Sequence, residues 1–101
     1  LLQLSARSIA SALRGDAPGI REVYACGGGV HNSVLMDALR AGLPGVRIET
    51  TSALGIDPDF VEAIGFAWLA RARLENLPGN LPSVTGAQGP RLLGGIYAPS
   101  A

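Results

Sequence analysis

The sequence predicts an α/β fold with parallel strands, ordered α-β-α-β-α and followed by an irregular tail. Three observations carry this. Helix-period and strand-like segments alternate with short linkers. The two strand-like segments are separated by a helix, the arrangement of a right-handed crossover between parallel strands. With 101 residues, 48% of them apolar, the chain has material for one domain at most and too much apolar content for disorder. Two strands do not complete a sheet of this kind, so the chain reads as part of a larger domain.

Leu2, Ala6, Ile9, Ala10 and Leu13 recur at helical spacing and Gly15 closes the segment, predicting a helix over residues 2–15. These residues also carry Arg and Ser with no acid, as transit peptides do. A helix docking on a sheet has the same composition and is favoured, because a transit peptide opens on Met. Glu22-Val23-Tyr24-Ala25-Cys26 is rich in strand formers and ends at three glycines. A second helix is expected over residues 32–41, with Leu35, Ala38 and Leu39 as its apolar stripe, Gly42 as C-cap and Pro44 forbidding continuation. Val46-Arg47-Ile48-Glu49-Thr50 is the second strand. A loop then leads to Asp57-Pro58, where Asp57 can cap free N–H groups and Pro58 suits the first helical position. That helix should run over residues 58–76, with Val61, Ile64, Gly65, Trp68, Leu69 and Ala72 on one face. Gly65 costs about 1 kcal/mol relative to Ala in mid-helix and should mark a close contact, and Trp68 should be core. From Leu77 onward, Pro and Gly dominate, which predicts ordered coil with one short strand near residues 92–97.

Composition excludes several chemistries. Charge is balanced at eight basic and eight acidic residues, so nothing recommends nucleic acid or a membrane surface as partner. Every basic residue is Arg, which removes a P-loop or nucleophilic lysine from this chain. One His and one Cys exclude a zinc cluster and a disulfide framework. Cys26 reads as a small buried filler, and a lone thiol suits a reducing cytoplasm. The longest apolar stretch, residues 63–70, is too short to cross a bilayer.

The segment Cys26-Gly27-Gly28-Gly29-Val30-His31-Asn32 carries the strongest functional signal. Three residues without Cβ let a ligand lie against the backbone, and the helix that follows offers unpaired N–H groups and a positive dipole end. In open α/β sheets, ligands bind beyond the carboxyl ends of strands, where this turn sits. Close helix–strand packing alone also uses glycine, but three in succession exceed that need. A Rossmann turn would want a third glycine at the position of Asn32 and an acid about 20 residues on; Glu49 supplies the acid, but the glycine is missing. A dinucleotide-binding βαβ unit of an NAD-dependent oxidoreductase therefore stays open, as does a packing domain without ligand. His31 could contact a nucleotide or bond its own backbone. Asn32 caps the helix, reaches ligand, or does both.

The glycine turn resembles the adenosine-binding turn of the sugar-kinase, Hsp70 and actin superfamily. Asp57-Pro58-Asp59-Phe60-Val61-Glu62-Ala63, then Gly65-Phe66-Ala67-Trp68-Leu69-Ala70, the run Asn80-Leu81-Pro82-Ser83-Val84-Thr85-Gly86-Ala87 and the closing Leu93-Gly94-Gly95-Ile96-Tyr97 narrow the match. Together they resemble the C-terminal end of the anhydro-N-acetylmuramic acid kinase family, over nearly the whole chain. The resemblance implies the C-terminal part of a ribonuclease-H-like (actin-like ATPase) domain, with residues 1–76 on the nucleotide side and residues 77–101 as a tail packed on it. It implies a cytoplasmic, dimeric enzyme of peptidoglycan recycling that uses ATP, Mg²⁺ and water to open 1,6-anhydro-N-acetylmuramic acid and phosphorylate it at O6. Gly27, Gly28, Gly29, His31 and Asn32 would bind nucleotide, and Glu62 would stand at the sugar site. A plain alternative for Glu62 is an acid complementing the helix dipole, and Asp59 reads as a solvated first-turn acid. Phosphate-gripping turns, the general base and the metal ligands would lie upstream, so this chain alone is not expected to catalyse.

Overall fold

The computed structural model describes residues 1–100. They form two compact units, Leu1–Glu62 and a second that starts at Ala63. In the first, helix α1 (Leu2–Asp16) precedes strand β1 (Glu22–Ala25), helix α2 (Ser33–Gly42) and strand β2 (Arg47–Thr50). The strands pair in parallel, with Val23 opposite Ile48 and Ala25 opposite Thr50, as the intervening helix requires. The sheet is therefore the mixed α/β, parallel arrangement that the sequence predicts.

Alternation along the strands decides which face is covered. Val23, Ala25, Val46 and Ile48 join a core built on Ala6, Ala10, Met36, Leu39 and Leu43. Glu22, Arg47 and Glu49 lie outside this core and carry charge: Arg47 Nη1 lies 3.8 Å from Glu22 and its Nε 3.7 Å from Glu49. The two helices meet at small residues. Ala6 and Ala10 of α1 are 2% and 1% exposed, and a Cβ added at Gly42 would lie 3.1 Å from the Cβ of Ala10. Arg14 Nη1 donates to the Gly42 carbonyl across the same contact. Gly15 and Gly42 both lie inside their helices rather than capping them; Ala17 and Leu43 are the C-caps. At Gly42 the packed neighbour, not the cap, explains the missing side chain.

Helix α3 (Val61–Leu74) starts three residues later than Asp57-Pro58 suggests. Asp57 Oδ1 accepts the Asp59 N–H at 2.9 Å and its carbonyl accepts the Phe60 N–H at 3.0 Å, so residues 57–60 close a separate turn before the helix. The expected apolar face of α3 is not buried: Ile64 is 56% and Trp68 56% exposed, and only Ala72 is fully covered. A Cβ at Gly65 would meet nothing within 4 Å, so the close contact expected there is absent. In the second unit, helix α4 (Pro82–Thr85) interrupts the tail, and residues 92–97 form no strand. Asn80 organises the loop instead: its Oδ1 accepts the Arg91 N–H at 2.7 Å and its Nδ2 donates to the Gly89 carbonyl at 3.1 Å. No helix among the described residues is long and apolar enough to cross a membrane.

Candidate functional site

Because β1 and β2 are parallel, the segments that follow them emerge at the same edge of the sheet. After β1, Gly27 takes φ 82° and ψ 175°, a conformation that a side chain disfavours. Residues Gly28–His31 then form one 3₁₀ turn, closed by Val30 N–H to the Gly27 carbonyl at 3.2 Å. Asn32 N–H donates to the Gly29 carbonyl at 3.1 Å, and Asn32 Oδ1 accepts the Leu35 N–H at 3.1 Å. Asn32 is thus the N-cap of α2, as its position predicts, satisfying one of the free donors of the first helical turn.

The three glycines have different reasons to be glycine. Gly27 needs its backbone conformation. Gly29 would place a Cβ 3.5 Å from Leu35 Cδ2, an ordinary contact. Gly28 has neither constraint: its φ is not left-handed, and a Cβ there would meet nothing within 4 Å. The fold itself leaves room for a side chain at Gly28.

After β2, a second 3₁₀ turn (Thr51–Leu54) leads to the residue 57–60 turn. The Thr51 hydroxyl is buried and is the one such side-chain atom without a hydrogen-bond partner among the described residues. The 57–60 turn is tied directly to the glycine turn. Gly27 N–H donates to the Pro58 carbonyl at 2.9 Å, and His31 Nε2 lies 2.7 Å from Asp59 Oδ1. Pro58 is buried at this junction, whereas His31 and Asp59 are 63% and 51% exposed.

These contacts revise three sequence expectations. His31 bonds a carboxylate 28 residues away and not its own backbone. Asp59 is not merely solvated, because it is that partner. Cys26 is exposed at the strand end rather than buried filler. The 31–59 pair was missed because nothing local links the two residues; the usable signal was that parallel strands deliver both following loops to one edge. Glu62, which a helix over residues 58–76 would place in its second turn, lies in the first turn of α3 and is exposed. It makes no ion pair among the described residues, and its position suits the helix dipole. Glu49, the acid a dinucleotide would need, is half-buried and its carboxylate faces Arg47. No three His, Cys, Asp or Glu side chains among the described residues are grouped to hold a metal.

Comparison with known proteins gives one consistent result. A family model described as anhydro-N-acetylmuramic acid kinase matches residues 1–99. A protein of that name from Nitrosomonas europaea is 56% identical over 97 residues, covering 96% of this chain and 27% of the relative. One from Xanthomonas campestris pv. campestris is 57% identical, covering 96% of this chain and 26% of its own length. One from Thiobacillus denitrificans is 53% identical over the same shares. The chain spans about a quarter of the length of the curated relatives it matches.

Proposed function

We propose, from the premise that this chain belongs to the anhydro-N-acetylmuramic acid kinase family, that it supplies the adenosine side of an ATP-dependent sugar kinase. The proposed reaction opens 1,6-anhydro-N-acetylmuramic acid with water and transfers the γ-phosphoryl group of ATP to O6. The single observation that carries the nucleotide assignment is the open backbone at Gly28, beyond the carboxyl end of β1. A purine or ribose can lie against a turn that has no side chain to displace.

Within this reading, Gly27, Gly28 and Gly29 present backbone, His31 and Asn32 offer polar side chains, and the start of α2 favours a polar or anionic group. The ATP-bound Mg²⁺ would offset phosphate charge in the transition state; its ligands, and the general base, are assigned to parts of the kinase outside this chain. Glu62 is assigned to the sugar side. A carboxylate there would orient the attacking water or stabilise positive character at the anomeric carbon as the anhydro ring opens. The cytoplasm and a homodimer complete the proposal.

The dinucleotide alternative is the weaker reading, since its third glycine is replaced by the capping Asn32 and Glu49 is turned toward Arg47. The test is steady-state kinetics of Gly28→Val in the full-length kinase of which this chain is proposed to be part. Three added carbons in open space should leave the fold intact and raise KM for ATP, with NAD(H) inert. A folded variant with unaltered KM would remove the nucleotide from this turn.

A further inference from the structure

We propose that Asp59 is a positioning residue for the glycine turn, orienting His31 so that its Nδ1 accepts a hydrogen bond from a donor on the nucleoside. The inference rests on the reading above, in which this turn takes ATP. Two consecutive residues grip the turn at both ends: the Pro58 carbonyl holds the Gly27 N–H at 2.9 Å, and Asp59 Oδ1 holds His31 Nε2 at 2.7 Å. The grip is braced from behind, because Asp57 Oδ1 accepts the Asp59 N–H at 2.9 Å and Pro58 is buried.

The chemistry of the pair fixes the ring. An ionised carboxylate only accepts, so the shared proton sits on His31 Nε2. In the neutral imidazole this leaves the lone pair on Nδ1. An acceptor there suits an exocyclic amine of the base or a ribose hydroxyl, and does not suit a phosphate oxygen, which is itself an acceptor. Both side chains are more than half exposed, and a pairing open to solvent adds little to stability. Its consequence is therefore orientation: a ring that would otherwise sample several rotamers and both tautomers is held in one.

The test uses the full-length kinase with Asp59→Ala, His31→Ala, the double variant and, as a reference, Gly28→Val. Asp59→Ala should raise KM for ATP about 3- to 10-fold, the scale of one weakened hydrogen bond. It should leave kcat at saturating ATP within about twofold, because only nucleotide binding is touched. In the His31→Ala background it should add nothing, since the residue acts through His31. Nitrogen-15 spectra should show His31 protonated on Nε2 in the parent and a mixture of tautomers in Asp59→Ala. If Gly28→Val raises KM while Asp59→Ala does not, or if the Asp59→Ala effect persists undiminished without His31, the positioning role is overturned and the nucleotide reading stands. If Gly28→Val is also silent, both fall together.

Discussion

Gly42 and Gly28 are the same residue type in two regions that use it for opposite purposes. At Gly42, where α1 crosses α2, an added Cβ would sit 3.1 Å from Ala10, so packing accounts for the glycine. At Gly28, on the carboxyl edge of the sheet, an added Cβ would touch nothing. The same division runs through the rest of the first unit. Ala6, Ala10, Leu43 and Ile48 are chosen by what they pack against. Gly28, His31, Asp59 and Glu62 stand exposed at or after the strand ends, and packing does not select them. Residues that the fold does not explain are the ones to assign to a ligand.

The largest expected effect lies at the edge. Glu62→Gln in the full-length kinase should lower kcat by ~10²-fold or more, the scale of a positioned acid–base group, with KM for ATP nearly unchanged. If kcat is retained and stability falls by only about 0.3–1 kcal/mol, Glu62 merely complements the dipole of α3 and is not catalytic. In the packed region the opposite signature is expected. Leu43 is 2% exposed, and Leu43→Ala should cost about 2–5 kcal/mol in urea titration through lost contacts and a residual cavity. A cost as small as that of a surface substitution would break the comparison from the packed side.

The second unit offers a harder case. Its apolar residues are not buried by their own neighbours: Phe66 is 64%, Trp68 56% and Leu74 71% exposed. An open groove of about 540 Å³ lies among Phe66, Leu69, Leu74, Leu93 and Ile96. Apolar surface on this scale favours association. The isolated chain should therefore sediment as concentration-dependent oligomers or melt at low temperature. A monomer unfolding cooperatively above ~60 °C, within the range of complete mesophile domains, would contradict this.

The glycine pair itself gives the smallest and sharpest contrast. Gly42→Ala should lose about 1 kcal/mol, because the Cβ of Ala10 is fixed to backbone and cannot swing aside. Gly28→Ala should change stability by less than about 0.5 kcal/mol, since its backbone tolerates a side chain and the space is empty. Equal costs at the two positions would erase the distinction.

What was legible in the sequence follows the same line. The parallel pairing, the glycine turn and the Asn32 cap were readable because each depends on residues close in sequence. The start of α3 was misplaced because Asp57 has two uses: a helix cap and a turn around its own side chain, and the Asp59 N–H takes the second. Trp68 was assigned to core by its place on an apolar stripe, and Gly65 to a close contact by the cost of glycine in mid-helix. Periodicity states which residues share a face, not whether anything covers it. The His31–Asp59 pair needed three dimensions, because the sheet alone brings residues 28 apart together.

The central claim is that the turn after β1 receives the nucleotide, and amide hydrogen exchange tests it most directly. In the full-length kinase, a non-hydrolysable ATP analogue should slow exchange across residues 26–32, while the α1–α2 contact around Ala10 and Gly42 exchanges as before. NAD(H) should leave both segments unchanged. Exchange at residues 26–32 that is indifferent to the ATP analogue, or that slows with NAD(H) instead, would contradict the account.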